Sequence, residues 1–377
     1  MRRRASLTLT ISAAVVAMAA GGCGSGGGGG GGSTSSGGGA AAADQQAVDA
    51  LYKGTYQAPP QAPKPAPGKS ILLLSCGQSL PTCAAAMTGA QEAAGKMGWK
   101  TTIFDTKGDP NQASAGIRQA LVSKADGVFL YFTDCRLMKQ ALQEAKSAKL
   151  PVVAAESLDC DYGGGTPLFA ATVRYAEGSY ADWIAAYGKA QAQYVIAKTG
   201  GKAKVLDFVE DDLLGASIQQ QAEVAALRAC AGCKVYPVKY TIGDLSTGIQ
   251  QKAQQALLQH PDANATIVQY DAVLLSGVSA ATQAAGRKLV VMAAEGDTAT
   301  MDLVRSGKVT AGVGIPIEWE GYAGVDALNR LLHGRPTATS GIGLQVYDKD
   351  HNTPPSGPYK PPIDFRAAYG KAWGLGG

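Results

Sequence analysis

The amino-acid sequence predicts an exported α/β protein built from two domains with parallel sheets. The chain has 377 residues, which is enough for two domains of ordinary size, each with its own core. Short apolar runs of strand length alternate with amphipathic stretches from residue 69 to residue 347, as in repeated βαβ units. A basic and then apolar leader precedes this alternation and is typical of secreted chains.

The leader ends at a cysteine. Three arginines are followed by an apolar stretch over residues 7–20, which is shorter than the roughly 20 apolar residues of a membrane helix. The predicted signal peptide covers residues 1–22. Gly21 and Gly22 before Cys23 resemble the site at which bacterial lipoproteins are cleaved and acylated, although Ala20 stands where leucine is usual. Acylation of Cys23 would anchor the chain to the outer face of the bacterial cell membrane; the alternative is cleavage near Ala20 with Cys23 as a free thiol.

Two stretches after Cys23 have compositions typical of linkers. Residues 24–39 are almost all Gly, Ser and Thr, and residues 58–67 are Pro, Ala, Gln and Lys. Neither composition buries enough apolar surface to offset the entropy of ordering the chain. We therefore predict a flexible tether over residues 23–68, with a short helix near residues 40–56 whose packing partner the sequence does not indicate.

Charge and motif content exclude several functions. The net charge of +4 includes three leader arginines, so the processed chain carries about +1, too little for a nucleic-acid-binding field. The three histidines are scattered, and neither a metal nor a cofactor is expected. The chain has no serine-hydrolase, zinc-protease or P-loop motif. The acidic pair Glu210 and Asp212 is compatible with glycoside hydrolysis but equally with binding, so the sequence favours a binding protein over an enzyme.

The cysteine count favours disulfide bonds. Six cysteines remain after Cys23, and an even number in an exported chain is typical of disulfides, although six allow 15 connectivities. Nearness in the sequence favours Cys76 with Cys83 and Cys230 with Cys233, which leaves Cys135 with Cys160. A redox function for the Cys230-Ala-Gly-Cys233 motif is the alternative, but no thioredoxin-like strand precedes it.

The alternation of apolar and amphipathic stretches divides into two series. The first has predicted strands at 70–75, 100–105, 127–132 and 151–155, with helices at 84–97, 110–124 and 137–148. The second has predicted strands at 204–209, 235–240, 265–269, 289–293, 309–314 and 343–347, with helices at 176–198, 216–229, 248–259, 272–285, 298–306 and 321–333. The apolar runs are continuous, as expected for strands covered by helices on both faces.

Three segments together resemble a known family. Residues 104–134 contain an Asp-Pro-Asn-Gln helix start and a strand that ends in Thr-Asp, residues 256–277 contain His-Pro-Asp and Tyr-Asp, and residues 301–312 read MDLVRSGKVTAG. Their order and spacing resemble the type I periplasmic sugar-binding proteins, the ribose-binding-like substrate-binding lipoproteins of ABC transporters. The resemblance covers about residues 69–347.

The resemblance implies two Rossmann-like lobes joined by a hinge of three crossings. The crossings are expected near Glu156, Pro316 and Gly341. Residues 70–156 with 316–341 would form one lobe, and residues 157–315 with 342–370 the other. The proline-rich stretch at 348–362 either lies across the hinge or trails from the fold.

Ligands of open parallel sheets bind beyond the carboxyl ends of the strands, so the residues just after each strand are the binding candidates. Asp134, Asp271 and Glu295 match acidic positions of the family, while Tyr270 stands where the family has asparagine. The family's paired aromatics after the first strand and arginine after the fourth are absent. Asp134 and Asp212 have an alternative interpretation as helix caps. The complete candidate set is Gln78, Ser79, Thr133, Asp134, Glu156, Asp212, Tyr270, Asp271, Glu295 and Asp297.

The candidate site is net acidic. This charge suits a neutral polyol or a cation and disfavours a phosphate or carboxylate. The resemblance implies a monomeric solute-binding lipoprotein that captures a small polar ligand, a sugar in most of the family, and delivers it to the permease of an ABC transporter. Two alternatives remain: a ligand sensor that presents its closed form to a membrane receptor, and a binder of a non-sugar solute.

Overall fold

The computed structural model describes residues 37–375, with side chains from Gln45 onward. The predicted signal peptide (residues 1–22), Cys23 and most of the glycine-rich stretch lie outside the described residues. The described chain begins with helix α1, Gly37–Lys53. Within residues 37–375, none of the helices combines the length and the apolar character needed to cross a bilayer.

Lobe 1 is built on a parallel five-stranded sheet in the order β2-β1-β3-β4-β5. The three central strands are almost wholly buried, since helices cover both faces, and this explains their continuous apolar sequences. The elements are β1 Ser70–Ser75, α2 Pro81–Lys96, β2 Lys100–Asp105, α3 Pro110–Val122, β3 Gly127–Tyr131, α4 Lys139–Ser147, β4 Val152–Ala155 and β5 Ala171–Thr172.

Lobe 2 is built on a six-stranded sheet in the order β11-β10-β9-β8-β6-β7, and all pairs are parallel except the edge pair of β11 with β10. Its elements are α5 Tyr180–Lys198, β6 Lys204–Glu210, α6 Leu214–Ala229, β7 Lys234–Tyr240, α7 Asp244–Thr247, α8 Ile249–Gln259, β8 Ala265–Ile267, α9 Asp271–Val273, α10 Ser279–Ala284, β9 Val290–Ala293, α11 Thr298–Arg305, β10 Ala311–Gly314 and, after an excursion through lobe 1, β11 Gln345–Asp348. The predicted fold class of two α/β lobes is confirmed.

The helix predicted at 272–285 is broken in the structure. A wide turn at Leu274–Val278 separates α9 from α10, and Gly277 in it has a φ of 145°. A Cβ on Gly277 would lie 2.4 Å from the Cβ of Gln250 on α8. The close approach of α8 requires glycine here, and the apolar pattern of the segment does not reveal the break.

Helix α12, Ile317–Leu332, returns from lobe 2 to lobe 1 and packs against α2, β3 and β4. The helix backbones touch at Gly89 and Gly321, where a Cβ on Gly321 would lie 2.3 Å from the Ala86 carbonyl oxygen. The helix starts at residue 317, four residues before the predicted start. Its first turn therefore lies at the hinge, where it brings Glu320 toward the interlobe cleft.

The first lobe boundary was predicted near Glu156, and the structure corrects it. β5 pairs with β4, and the Cys135–Cys160 disulfide joins the following loop to lobe 1, so residues 157–172 belong to lobe 1. The chain crosses at residues 173–179, where the Ser340 amide donates to the Arg174 carbonyl (2.7 Å). β5 has only two residues, too few to produce a recognisable apolar run. The other two family crossings lie at residues 315–316 and 339–344.

The assignment of residues 342–370 to lobe 2 is also corrected. β11 lies in lobe 2, but the last helix, α13 Phe365–Ala372, packs against α12 in lobe 1. The Trp373 indole N–H donates to Asp326 Oδ1 on α12 (2.8 Å). The proline-rich stretch between β11 and α13 therefore crosses between the lobes. Apolar burial of aromatic side chains against α12 explains this placement.

The prediction of a flexible tether is wrong for residues 54–68. Helix α1 packs on α5 and β11 of lobe 2, and the chain then runs along the hinge strand, with the Gln57 amide donating to the Gly341 carbonyl (2.9 Å). Further on, Asn329 of α12 donates to the Pro63 carbonyl (2.8 Å). Extended proline-rich backbone loses little entropy on ordering and leaves its carbonyls free to accept such bonds. Residues 54–68 form a further connection between the lobes, the hinge strap.

The contact between the hinge strap and Gly341 is testable. Gly341 and Gly334 both have positive φ (80° and 64°), but a Cβ would lie 1.9 Å from the Gln57 carbonyl oxygen at residue 341 and would meet nothing within 4 Å at residue 334. We expect both alanine variants to lose about 1 kcal/mol from backbone strain, and Gly341→Ala to lose about 2 kcal/mol more from the collision. Urea denaturation measures the difference, and equal losses would contradict the packed hinge strap.

Lobe 2 buries a carboxyl pair away from the hinge. Asp207 on β6 and Glu223 on α6 are both fully buried, and three of their four carboxyl oxygens have no hydrogen-bond partner within the described residues. Gln220 donates to the fourth, Asp207 Oδ2 (2.8 Å). Burial raises the pKa of Asp207 to about 6 and raises the pKa of Glu223, which the neighbouring Asp207 raises further.

Glu223→Gln is expected to stabilise the protein at pH 8. The carboxyl's pKa is raised in the folded state, so the wild type loses stability as the pH rises from the unfolded pKa toward the folded one, and the glutamine variant avoids this loss. The gain should be about 1 to 3 kcal/mol at pH 8 and should vanish near pH 4, where both states are protonated. Thermal and urea unfolding at both pH values measure it, with the exposed Asp161→Asn as a control that should change little. A gain that is independent of pH would argue against a buried titrating pair.

Candidate functional site

The carboxyl ends of the two parallel sheets meet at the hinge. The strand order reverses between β1 and β3 in lobe 1 and between β6 and β8 in lobe 2, and ligands of such sheets bind at these switch points. The amide of Glu295, which follows β9 in lobe 2, donates to the Tyr187 hydroxyl of α5 (3.0 Å), and the Tyr187 ring lies 5.8 Å from Trp183, which stacks on Tyr175 in the hinge. Polar groups from the two lobes therefore lie near one another across an interlobe cleft.

A cluster of three buried polar side chains forms the lobe 1 side of the cleft. Glu156 follows β4, Tyr131 ends β3 and Glu320 lies in the first turn of α12; their exposed fractions are 8%, 1% and 0%. One oxygen of each has no hydrogen-bond partner among the described residues: Glu156 Oε1, Glu320 Oε2 and the Tyr131 hydroxyl. Burial raises the pKa of Glu320 to about 8, and burial together with Glu320 raises the pKa of Glu156. We call these three residues the lobe 1 acidic cluster.

Tyr175 in the hinge holds this cluster. Its hydroxyl donates to Glu320 Oε1 (3.1 Å) and accepts from the Glu156 amide (3.2 Å). Trp183 of α5 stacks on the Tyr175 ring with 4.5 Å between centroids, and its indole N–H donates to the Gly343 carbonyl (3.3 Å). The hinge therefore sets the positions of both glutamates.

The lobe 2 side is formed by the loop after β9. Asp271 Oδ2 accepts from the amides of Gly296 (2.8 Å) and Asp297 (2.7 Å), and Glu295 Oε2 accepts from the Asp271 amide (3.0 Å). Asp297 caps α11 by accepting from the Thr300 amide (2.7 Å). Burial raises the pKa of Glu295 to about 7. Asp271 and Asp297 thus shape the loop that carries Glu295.

Glu156 and Glu295 have unusual backbone conformations. Both have positive φ, 45° for Glu156 and 39° for Glu295. Glu156 directly follows the buried strand β4, and Glu295 lies just after the buried strand β9. Left-handed backbone costs an L-residue about 1 to 2 kcal/mol and is common at functional sites. The same strain therefore occurs at corresponding places on the two lobes.

A second acidic and aromatic group lies after β6 and β8. The Tyr270 hydroxyl donates to Glu210 Oε2, and the ring of Tyr270 lies 6.5 Å from that of Tyr240. Burial and, to a smaller extent, the exposed Asp212 raise the pKa of Glu210 to about 7. Asp212 does not cap α6, because Leu213 occupies the cap position.

Asp134 and Thr133 are held in lobe 1 by the loop after β4. Asp134 Oδ1 accepts from the Leu158 amide (2.9 Å), and the Thr133 amide donates to the Ser157 hydroxyl (3.0 Å). Burial raises the pKa of Asp134. A cavity of about 350 Å³ opens beside Asp134, lined mostly by lobe 1 side chains and by Leu214 of lobe 2. Asp134 makes no side-chain cap to the 3₁₀ turn that follows it.

Gln78 and Ser79 lie in the loop after β1. The Gln78 amide side chain donates to the Ser75 hydroxyl (2.7 Å), its backbone amide donates to Asp105 Oδ1 (3.1 Å), and Ser79 is exposed. The structure thus gives Gln78 partners within its own lobe. The candidates brought together across the cleft are Glu156 and Glu295.

Three polar residues of the cleft were missed by the sequence analysis: Tyr131, Tyr175 and Glu320. Glu320 lies in the sequence Ile-Glu-Trp-Glu-Gly-Tyr, before the predicted start of the helix, and the apolar pattern of residues 127–132 predicts Tyr131 as part of a buried strand. A signal was present, since the chain contains 15 tyrosines and only 6 phenylalanines. A buried tyrosine hydroxyl normally needs a polar partner, so this excess indicates polar chemistry in the interior.

The structure joins the six cysteines as Cys76–Cys83, Cys135–Cys160 and Cys230–Cys233. Within residues 45–375, the one group of three metal-ligand side chains that converges within 4.8 Å is Cys135, Asp159 and Cys160. Two of its members form a disulfide and offer no thiolate, so this group does not fit a metal ion.

The amino-acid sequence is similar to known proteins over most of its length. The family model of the periplasmic binding protein domain matches residues 73–336. The ribose import binding protein of Salmonella typhimurium is 23% identical over 251 residues, which are 65% of this chain and 79% of that protein. The ribose import binding protein of Bacillus subtilis is 23% identical over 288 residues, 74% of this chain and 88% of that protein.

Solved structures share the two-lobed fold. An ABC transporter solute binding protein from Agrobacterium vitis with bound allitol superposes with a TM-score of 0.64 at 16% identity, covering 75% of this chain and 96% of that one. A periplasmic solute binding protein of an ABC transporter from Actinobacillus succinogenes with bound D-allose has a TM-score of 0.64 at 16% identity, covering 76% and 98%. At this identity, the superpositions show a common fold.

The Tyr175 hydroxyl is expected to stabilise the ionised Glu320. In Tyr175→Phe, the pKa of Glu320 should rise further above its value of about 8, and the unfolding free energy should fall by about 1 to 2 kcal/mol at pH 9 and by less at pH 6. Urea denaturation at the two pH values measures this. Tyr180→Phe is the matched control, since the Tyr180 hydroxyl makes no hydrogen bond to any residue the structure describes. Equal effects of the two variants would contradict the role of Tyr175.

Proposed function

The chain belongs to the periplasmic binding protein family, and we propose that it captures a small polar ligand, a sugar or sugar-like compound, between its lobes and delivers it to an ABC importer. One observation carries this proposal. Buried carboxyl and hydroxyl groups meet at the ends of two parallel sheets, and an oxygen atom of each of Tyr131, Glu156 and Glu320 lacks a partner within the described residues. Buried polar atoms are normally hydrogen-bonded, and ligand groups are suited to supply the missing bonds.

The chemistry of the cleft suits a polyhydroxylated ligand. A sugar hydroxyl donates and accepts at once, and carboxyl and tyrosine oxygens can bond to both of its functions. The named relatives are ribose import binding proteins, and the superposed structures hold allitol and D-allose. These similarities support a polyol or sugar ligand for this chain as well.

The ten candidate residues take different roles in this proposal. Glu156 and Glu295 contact the ligand from opposite lobes, and Asp271 and Asp297 hold the loop of Glu295. The remaining candidates line the two sides of the opening: Gln78, Ser79, Thr133 and Asp134 on lobe 1, and Asp212 and Tyr270 on lobe 2. Glu320, Tyr131 and Tyr175 join the ligand-facing set because of their positions around Glu156.

Closure of the two lobes is the proposed mechanism of capture. A ligand that bonds to Glu156 on lobe 1 and to Glu295 on lobe 2 binds the closed form more tightly than the open form, because only closure brings both within reach. Such differential affinity shifts the population toward the closed form. No covalent step is required, and the proposal assigns the protein no catalysis.

The same proposal includes a membrane anchor at the N-terminus. Removal of residues 1–22 and acylation of Cys23 would tether a monomer to the outer face of the cell membrane, close to the importer's permease. Metabolic labelling with a fatty acid analogue tests this, with Cys23→Ser as the control variant. Incorporation into the wild type alone supports the anchor, and incorporation into neither contradicts it.

A thermal-shift screen tests the ligand class. Pentoses, hexoses and their polyols are compared with organic acids and sugar phosphates, and a ligand at 100 times its Kd should stabilise the protein by about 2.7 kcal/mol. We expect shifts from polyhydroxylated compounds only. Small-angle scattering with the best ligand should show a smaller radius of gyration, as lobe closure requires.

Variants of α11 and its preceding loop provide the control. Glu295→Ala should weaken binding of the best ligand at least tenfold, since it removes the lobe 2 contact. Asp302→Asn, on the exposed side of α11, should leave binding unchanged, because the partner of the Asp302 carboxylate among the described side chains is Arg305 (2.7 Å). Shifts from anionic compounds alone, or from no polyhydroxylated compound, would contradict the proposed function.

A further inference from the structure

The lobe 1 acidic cluster is unusual because, in the part of the chain that the structure describes, it forms no salt bridge with a Lys, Arg or His side chain. Burial raises the pKa of Glu156 most, and the charges of Glu320 and Glu295 raise it further. Glu295 also raises the pKa of Glu320. Their direct neighbours on β3 and in the hinge are the hydroxyls of Tyr131 and Tyr175. Like charges buried together are costly, so these carboxyls either keep protons or meet a cation.

A neutral sugar alone does not explain this arrangement. Sugar hydroxyls bind well to single carboxylates and amides, and a second buried carboxyl beside the first adds repulsion whenever both are ionised. Tyr175 donates to one oxygen of Glu320, and the described residues form no hydrogen bond of good geometry to Glu156 Oε1, Glu320 Oε2 or the Tyr131 hydroxyl, which lie close enough together to shift one another's pKa. An ammonium group has three N–H donors and no acceptor, which matches this set.

A metal ion fits the cluster less well. Calcium needs six to eight oxygen ligands near 2.3–2.6 Å, which requires carboxylates that converge closely. Within residues 45–375, Glu156, Glu320 and Glu295 do not come within 4.8 Å of one another as a group of three. The third carboxyl, that of Glu295, lies on the opposite lobe.

We propose that the ligand is a small polyhydroxylated amine, an amino sugar or amino polyol, whose ammonium group binds between Glu156, Glu320 and Tyr131 and whose hydroxyls reach Glu295 on the other lobe. This inference rests on the proposed function and narrows its ligand class. The ammonium provides the positive charge that the cluster lacks, and the hydroxyls provide the contact to lobe 2 that closure requires.

Proton release is a consequence of this assignment. Without ligand, Glu320 and Glu295, with pKa values of about 8 and 7, are partly protonated at neutral pH. A bound ammonium favours their ionised forms, so binding releases protons from the protein, and the affinity rises from pH 6 toward pH 7, where the amine itself keeps its proton. A neutral sugar brings no charge and favours the ionised forms only through its hydroxyl donors, so its affinity should depend less on pH over the same range.

Matched pairs of compounds test the charge of the ligand. Glucose with glucosamine, galactose with galactosamine, mannose with mannosamine, and glucitol with its 1-amino analogue are titrated calorimetrically at pH 6 and pH 7, where the amines are protonated, in buffers of different ionisation enthalpy. We expect at least one amine to bind ten times or more tightly than its neutral partner, with release of protons. Equal binding of the pair, or tighter binding of the neutral member, would overturn the inference and leave the proposed function intact. Absence of binding by every compound would contradict the proposed function itself.

Two variants on the same helical turn locate the interaction. Glu320→Gln should weaken binding of the amine by about ten- to a hundredfold, as expected for loss of a charged hydrogen-bond partner, and should reduce the number of protons released. Glu318→Gln is the matched control, since Glu318 is two residues away and partly exposed outside the cluster. Thermal unfolding of both variants checks folding. An unchanged affinity in Glu320→Gln would exclude the cluster as the ammonium site.

Discussion

The aromatic packing around Trp319 is the contact on which the site depends. Trp319 stacks with Tyr56 of the hinge strap and with Phe365 of α13, at centroid distances of 5.6 Å and 5.2 Å, and its indole N–H donates to the Ser340 carbonyl in the hinge (3.0 Å). The first turn of α12 is thereby joined to both ends of the described chain. Glu320 is the next residue, so these contacts also determine where the central carboxyl of the cleft lies.

The site lowers the stability of the folded protein, and the loss is concentrated at a few residues. Glu156 and Glu295 combine left-handed backbone with burial of a carboxyl, and both features disfavour the folded, ionised state. The costs occur at corresponding loops of the two lobes, directly at the ends of the sheets. Stability alone does not select such residues, since glycine and a neutral side chain would remove both costs. Their presence is best explained by a requirement of binding.

The sequence was sufficient to predict the fold and insufficient to predict the connections between the lobes. Buried parallel strands leave continuous apolar runs, and the rule that ligands bind beyond strand ends predicts Glu156 and Glu295 as binding candidates. The hinge strap and α13 were missed because their order comes from distant aromatic contacts, which composition does not reveal. Glu320 was missed for a similar reason: it lies on a helix, and its place in the cleft follows from how α12 packs. The sequence also did not show which acidic residue caps a helix. Asp297 caps α11 because of its backbone geometry, which composition does not reveal.

The disulfides are distributed unequally over the two sides of the cleft. Cys76–Cys83 closes the loop after β1, and Cys135–Cys160 joins the loops after β3 and β4, so two of the three bonds lie at the cleft edge of lobe 1. Cys230–Cys233 lies at the end of α6, before β7, away from the carboxyl ends of the lobe 2 strands. Loops that are already ordered lose less entropy when a ligand binds. Lobe 1 is therefore the preorganised half of the cleft, and the unpartnered oxygens of its acidic cluster are held in place before lobe 2 closes.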